Sequence, residues 1–162
     1  MKRPTRGEQV ALQGDQTGFN HVGVCVTDME RSQKFYEEVL QFRYWWELVP
    51  DDDATSTLLQ LPTPVGLRAV YLVRDGLVLE LLHYAGAGTR PFTERVMNDP
   101  GLTHLSLSVG DIPTVLAKVV PNGGTIIEES DMKAAIIIRD PDGQLIELTS
   151  SAFLEHRPPL PS

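Results

Sequence analysis

One pattern occurs twice along this chain: a histidine opens an apolar stretch, and a glutamate follows later inside another apolar stretch. The first copy has His21 in FNHVGVCVTD and Glu80 in GLVLELLHY, and the second has His104 in GLTHLSLSVGD and Glu147 in GQLIELTSS. Both copies place an Arg-Asp pair and a glycine just before the glutamate stretch, as VRDG and IRDPDG. A repeat of this kind constrains the fold more than any local feature, because each copy must form the same unit.

Both copies predict the same order of elements: strand, helix, strand, strand, strand. The helices are expected to begin at Asp28 and Asp111, because an aspartate side chain is a good N-cap. Turn sequences, RDG in the first copy and DPDG in the second, are expected to join the last two strands. The sequence therefore predicts an α+β fold built from two tandem βαβββ modules.

The boundaries follow from this pattern. The modules are expected at residues 19–84 and 102–150, with a linker at residues 85–101. Residues 1–18 are polar and unpatterned, and are expected to be a disordered N-terminal tail. Residues 151–162 end in a proline-rich stretch and are expected to be a C-terminal tail.

Two expectations concern the first module. Residues 50–66 are acidic and contain prolines, so a long loop is expected there. Trp45 and Trp46 are adjacent in a predicted strand, so their rings are expected to lie on opposite faces of the sheet.

Composition limits the partners. A formal net charge of −8 disfavours nucleic acid and anionic membranes, because both require a basic surface. No stretch resembles a membrane span or a signal peptide. Cys25 is the one cysteine, which excludes an internal disulfide and favours a cytoplasmic location.

The repeated residues point to a metal site. Glu80 and Glu147 are the only charges within LVLELL and QLIELT, and burying a carboxylate costs several kcal/mol unless it is compensated. Each histidine or glutamate by itself is more often structural, hydrogen-bonded or paired with an arginine. The occurrence of both in both copies instead favours one divalent ion held by His21, Glu80, His104 and Glu147. Such a neutral cluster suits Zn, Ni, Co, Mn or Fe(II).

These residues resemble a known family. The repeated unit, the stretch HVGVCVTDMERSQKFYEEVLQF and the signature DPDGQLIEL are similar to the vicinal oxygen chelate (VOC) superfamily, over about residues 19–150. This superfamily includes glyoxalase I, methylmalonyl-CoA epimerase, dioxygenases, and fosfomycin- and bleomycin-resistance proteins. The resemblance implies that the two modules form a half-barrel cleft around the metal, with the four residues at the family's ligand positions. It also implies a homodimer, in which the site is often built across the two copies.

No single member of the family matches in full. Glyoxalase I uses the same four ligand types in the same order, and DMKAAIIIRDPDG resembles one of its segments. The stretch ELLHY is closer to the epimerase. Extradiol dioxygenases use two histidines and one glutamate, so Glu80 departs from them. Bleomycin-binding members lack the ligands altogether.

The resemblance implies an isomerase or lyase that moves a proton next to a carbonyl through a metal-stabilised enediolate. The substrate would be a small molecule with two neighbouring oxygens, or an acyl thioester. By analogy Glu147 is expected to be the base, with Glu80 as the other candidate. Three alternatives stay open: an Fe(II) extradiol-type dioxygenase using His21, His104 and Glu147, a non-catalytic ligand-binding or resistance protein, and a metal-dependent group transfer such as thiol addition.

Overall fold

The structure, a computed structural model, describes residues 12–90, 93–156 and 158. Its strands are β1 (Val22–Cys25), β2 (Arg43–Leu48), β3 (Leu67–Arg74), β4 (Leu77–Tyr84), β5 (His104–Val109), β6 (Thr125–Ile127), β7 (Ala135–Arg139) and β8 (Leu145–Ser150). Its α-helices are α1 (Met29–Glu38), α2 (Asp52–Leu59), α3 (Ile112–Val119) and α4 (Ala152–His156). The order confirms the predicted α+β fold with two βαβββ modules.

Each module has its own four-stranded sheet, and the two sheets have the same topology. The strand order is β1-β4-β3-β2 in the first sheet and β5-β8-β7-β6 in the second. The first and last strands of each module pair in parallel, whereas the other pairs are antiparallel. In the first module this pairing places β1, which follows His21, next to β4, which contains Glu80. In the second module it places β5, which contains His104, next to β8, which contains Glu147.

The helices of the two modules begin where the sequence predicts. Asp28 and Asp111 have extended backbones, and their carboxylates accept hydrogen bonds from the backbone N–H groups of Arg31 (3.0 Å) and Thr114 (2.9 Å). Each bond satisfies one of the N–H groups that a first helical turn leaves without a partner.

The two modules share one hydrophobic core. Helix α1 of the first module contributes the fully buried Phe35 and Tyr36. The core continues into the inner faces of both sheets through the buried side chains Val70, Leu72, Leu79, Leu81, Ile136, Ile138, Ile146 and Leu148. Because the core crosses the boundary between the modules, we expect them to unfold together.

A glycine allows the modules to approach each other closely. Gly124 lies between α3 and β6, and a Cβ atom there would lie 2.5 Å from Phe35 Cε2 and 2.7 Å from the backbone oxygen of Arg139. No side chain fits at that distance. The Gly-Gly pair after α3 therefore serves packing as well as ending the helix.

The predicted loop at residues 50–66 is partly wrong, because α2 occupies Asp52–Leu59. Asp51 is its N-cap and accepts a hydrogen bond from the N–H of Ala54 at 2.9 Å. The acidic residues of the first turn also suit the positive end of the helix dipole. The helix signal was an aspartate N-cap like those of α1 and α3, hidden by the surrounding prolines.

The expectation for the two tryptophans is also wrong. A β-bulge between Tyr44 and Trp46 gives β2 an extra residue, which breaks the regular alternation of faces. The rings of Trp45 and Trp46 contact each other edge to face, with 6.1 Å between their centroids. Both side chains are exposed, and Trp46 pairs with Tyr71 of β3.

The chain outside the modules is only partly described. The short helix α4 lies within residues 151–162, which the sequence predicts to be a tail. Residues 1–11 of the predicted N-terminal tail lie outside the described residues. The described part of the linker, residues 85–90 and 93–101, contains neither helix nor strand. None of the helices in the described ranges has the length and apolar composition needed to cross a membrane.

Candidate metal centre

The first histidine and glutamate form a pair on neighbouring strands. Glu80 of β4 lies opposite Gly23 of β1, and His21 lies two residues before that glycine. His21 Nε2 is 2.9 Å from Glu80 Oε2. On the other side of the ring, Nδ1 is 2.8 Å from the side-chain oxygen of Asn20.

The second pair repeats this arrangement. Glu147 of β8 lies opposite Ser106 of β5, and His104 lies two residues before that serine. His104 Nε2 is 3.7 Å from Glu147 Oε2, and its Nδ1 is 2.8 Å from Thr103 Oγ1. The two pairs therefore occupy equivalent positions in the two modules.

The donor atoms of both pairs suit a divalent metal. In each imidazole a polar side chain engages Nδ1, which leaves Nε2 directed at a carboxylate. A metal-binding histidine is commonly oriented in this way, with its second nitrogen held by an oxygen. Two neutral imidazoles and two carboxylates would balance the charge of one divalent cation.

Both pairs lie on the sheet faces that point away from the shared core. Side chains alternate along a strand, and the neighbours of each glutamate point into the core. These neighbours are Leu79, Leu81, Ile146 and Leu148. Glu80 and Glu147 therefore project from the opposite faces of their sheets.

The four predicted residues come together as two pairs and not as one cluster. Within the described ranges, no group of three or more His, Cys, Asp or Glu side chains is placed to hold a metal ion. Within the described residues, one copy thus presents two separate His–Glu pairs, His21 with Glu80 and His104 with Glu147, which are called the candidate half-sites below.

The half-sites lie within the region that matches a known family. Residues 18–148 match the model of the Glyoxalase/Bleomycin resistance protein/Dioxygenase superfamily. The chain belongs to this superfamily. The match spans both modules and includes all four residues of the half-sites, so the resemblance seen in the sequence is confirmed.

Individual members of the superfamily are similar to this chain in sequence or in fold. A lactoylglutathione lyase of Pseudomonas aeruginosa is 29% identical over 146 residues, which is 83% of each chain. The trypanothione-dependent glyoxalase I of Leishmania major has a similar fold, with a TM-score of 0.62, 23% identity and coverage of 84% of this chain and 88% of that one. The fosfomycin resistance protein FosX of Listeria monocytogenes, solved with Mn(II) and sulfate, has a TM-score of 0.59, 15% identity and coverage of 87% and 98%.

The two glutamates differ in their surroundings. Glu80 accepts a hydrogen bond from the phenol of Tyr71, and its side chain is 11% exposed. Glu147 accepts a hydrogen bond of 2.6 Å from Ser106 Oγ, and its side chain is 33% exposed. The two half-sites of this chain are therefore equivalent in backbone position but not in the exposure of their glutamates.

Tyr71 is a site residue that the sequence analysis missed. Burial, followed by the hydrogen bond to Glu80, raises the pKa of Tyr71 to about 12, so its phenol stays protonated and remains a donor at neutral pH. The available signal was an aromatic residue on the strand before Glu80. The sequence does not reveal the register that places Tyr71 directly opposite that glutamate.

A hollow of about 400 Å³ lies beside Glu147. Its other lining residues are mostly small or apolar: Ala134, Ala135, Thr149, Ser150, Ala152 and Phe153. A small apolar group would fit there next to the carboxylate.

Cys25 lines a second hollow, of about 440 Å³, together with Tyr84 and Arg90. Burial, and then the charge of Asp142, raise the pKa of the Cys25 thiol. The thiol is therefore protonated at neutral pH and is suited to lining a cavity rather than to acting as a nucleophile.

Proposed function

We propose that this protein is a divalent-metal-dependent isomerase or lyase that transfers a proton at a carbon next to a carbonyl. The observation that carries the proposal is the pair of equivalent His–Glu half-sites, one in each module. Membership of the superfamily supports it, and so does the similarity to a lactoylglutathione lyase. The proposed substrate is a small molecule with two neighbouring oxygens or an acyl thioester.

The proposed metal centre is completed by a second copy of the chain. His21 and Glu80 would hold the ion together with His104 and Glu147 of the partner subunit. The separation of the half-sites within one copy supports this arrangement. A twofold dimer would contain two such centres, because the same pairing occurs in both directions.

Each part of the proposed site has a separate task. A bound divalent ion would act as a Lewis acid toward the oxygen that gains negative charge when the neighbouring C–H group loses its proton. Glu147 would accept and return that proton. Its greater exposure and the adjacent hollow support this assignment. Ser106 would orient the carboxylate through its hydrogen bond.

A mixing experiment tests the shared site. One variant carries His21→Ala and Glu80→Ala, and the other carries His104→Ala and Glu147→Ala. Neither variant alone forms a complete centre. In a random mixture about half of the dimers are mixed, and each mixed dimer regains one of its two sites. Metal content and activity should therefore rise to about a quarter of the wild-type values.

Either of two results would contradict the proposed centre. The metal content of the mixture could stay at the level of the separate variants, which would show that no site forms between copies. Alternatively, the first variant could retain the full wild-type metal content, which would show that His21 and Glu80 are not ligands. A Glu129→Gln variant, altered at an exposed position, is the matched control and should keep its metal.

The reaction class is tested by solvent deuterium exchange. The wild type should catalyse exchange at the carbon next to the carbonyl, either in a hemithioacetal of a 2-oxoaldehyde or in a 2-methyl-branched acyl-CoA. Glu147→Gln should lose that exchange, and Glu129→Gln should retain it. A metal-loaded wild type that exchanges neither compound would contradict the proposed chemistry. Oxygen consumption with a catechol would instead indicate a dioxygenase.

A binding protein of the same fold is the second candidate. The hollow beside Glu147 favours it, because a largely apolar cavity is typical of sites that bind small ligands. This candidate predicts that an apolar ligand binds tightly while no exchange occurs. Calorimetry and the exchange assay on the same preparation distinguish the two candidates.

A further inference from the structure

A straight row of side chains crosses the first sheet on the face of the half-site. Trp46 of β2 lies opposite Tyr71 of β3, and Tyr71 lies opposite Glu80 of β4. Glu80 in turn lies opposite Gly23 of β1. Cross-strand neighbours on one face are close enough to contact each other, so this row links two aromatic rings to the carboxylate.

Both carboxylate oxygens of Glu80 are engaged within this row. The Tyr71 phenol donates a hydrogen bond to Oε1, and Oε2 lies 2.9 Å from His21 Nε2. The Tyr71 ring also contacts the His21 ring edge to face, with 5.8 Å between centroids. One tyrosine therefore contacts both members of the half-site.

Trp46 in turn holds Tyr71. The two rings stack with 4.5 Å between their centroids and 6° between their planes. The β-bulge between Tyr44 and Trp46 sets the register in which Trp46 lies opposite Tyr71. A phenol packed on one side by an indole has little freedom to turn away from Glu80.

The second module has no such support for its glutamate. The position opposite Glu147 on β7 is Ile137, and the position opposite Ile137 on β6 is Ile127. Neither isoleucine side chain can donate a hydrogen bond. Among the residues that the structure describes, the hydrogen-bond donor to Glu147 is Ser106, on the other neighbouring strand. The two glutamates therefore differ because the same two positions are aromatic in one module and aliphatic in the other.

We propose that Tyr71, held by Trp46, is a positioning residue that keeps Glu80 in place as a ligand and leaves Glu147 as the carboxylate that moves the proton. The proposal rests on the proposed function. A carboxylate that alternates between a ligand position and a substrate carbon needs free space and few fixed contacts. Glu147 has both, whereas Glu80 is enclosed and held at both oxygens.

Metal affinity provides a readout that does not depend on turnover. Protein freed of metal is titrated with Mn²⁺ or Zn²⁺, whichever the wild type binds. Tyr71→Phe keeps the ring and its stacking but removes the hydrogen bond to Glu80. The metal Kd should rise about tenfold, as is typical when a partner of a ligating side chain is lost. Tyr44→Phe, at an exposed position on β2, is the matched control and should bind like the wild type.

The exchange assay tests the division of roles. Glu147→Gln should lose solvent deuterium exchange, because Tyr71 still holds Glu80. The double variant Tyr71→Phe with Glu147→Gln should regain part of it, about tenfold above Glu147→Gln, because Glu80 is released. In the double variant Glu80 is the one carboxylate left in the two half-sites. Any gain in exchange over Glu147→Gln is therefore assigned to Glu80.

The outcomes separate this inference from the proposed function. A wild type that binds neither ion overturns both. A wild type that binds metal, together with a Tyr71→Phe Kd within about twofold of it, overturns only the role of Tyr71. Equal exchange rates in Glu147→Gln and the double variant also overturn that role. Weaker metal binding in Trp46→Leu, which removes the stack and keeps the phenol, supports it.

Discussion

Arg31 at the start of α1 lies 2.7 Å from Asp142, which is in the turn between β7 and β8. The ion pair joins the two modules, and the Asp142 side chain is only 11% exposed. Thr27 and Ser32 of the first module donate further hydrogen bonds to the same carboxylate. The turn that leads into the Glu147 strand is therefore held by the other module.

Asp142→Asn should lower the free energy of unfolding by about 2 kcal/mol, because the side chain loses its negative charge. The ion pair with Arg31 is then lost, and the remaining hydrogen bonds have an uncharged acceptor. Urea denaturation measures this loss. Asp75→Asn is the matched control: Asp75 lies in the corresponding turn of the first module, is 87% exposed and, within the described ranges, forms its ion pair with the adjacent Arg74. The control should change stability little. An equal loss in both variants would contradict a special role for Asp142.

The contribution of Asp142 should depend on pH. Burial by itself would raise the pKa of Asp142, but the hydrogen bonds from Thr27 and Ser32 and the charge of Arg31 lower it below its usual value. In the unfolded chain the pKa is about 3.9. Between the two values the unfolded state binds more protons, so stability rises with pH in that window.

The stability difference between wild type and Asp142→Asn should therefore be complete above about pH 5. It should shrink as the pH falls through the lowered pKa. Urea unfolding curves of both proteins, recorded from pH 6 downward, would measure this decrease in the stability difference. A difference that stays constant to low pH would mean that the effect is steric and not electrostatic.

Tyr36→Phe should also destabilise the fold, by about 2 kcal/mol at neutral pH, because it leaves a buried carboxylate oxygen unpaired. The phenol of Tyr36 donates a hydrogen bond of 3.0 Å to Asp140 Oδ2, while backbone N–H groups bind Oδ1. Burial raises the pKa of Asp140 despite these bonds. Below that pKa the carboxyl is protonated and needs the donor less.

The loss caused by Tyr36→Phe should therefore be larger at pH 7 than at pH 4, which is the same direction as for Asp142→Asn, but it should begin to shrink at a higher pH because the pKa of Asp140 is raised and that of Asp142 is lowered. Unfolding curves at the two pH values measure it. Tyr44→Phe, at an exposed position, should leave the free energy of unfolding unchanged at both pH values. Equal losses at the two pH values would show that Asp140 keeps its charge without the phenol.

Much of the fold could be predicted from local signals. The His–Glu repeat gave both modules, and Asp28 and Asp111 marked the starts of their helices. Helix α2 was missed although Asp51 carries the same signal, because the flanking prolines favoured a loop. The bulge before Trp46 was missed because strand periodicity assumes an unbroken register.

The site was harder to predict for a physical reason. His21 and Glu80 are far apart in sequence but meet because β1 and β4 pair in parallel, which the repeat implies. The hydrogen bond from Tyr71 depends on the exact register of β3 against β4, which is set by the whole hairpin. Contacts of this kind follow from tertiary packing and carry no local sequence signal.

Metal removal should affect both association and stability, since each proposed centre takes two ligands from each copy. Metal at a hundred times its Kd stabilises the state that binds it by about 2.7 kcal/mol. For a chain of this size, a chelator should therefore lower the melting temperature by roughly 5–10 °C. It should also raise the fraction of monomer, as measured by analytical ultracentrifugation.

The chelator experiment needs a variant without the centre. The variant that carries both His104→Ala and Glu147→Ala removes the two proposed ligands of one half-site from partly exposed positions outside the core, so the fold should persist. The chelator should leave its melting temperature unchanged. The same shift in this variant as in the wild type would mean that the chelator acts elsewhere on the protein. A shift in wild-type stability without dissociation would mean that the ion binds within one copy, because only an ion shared between copies couples metal affinity to the monomer–dimer equilibrium.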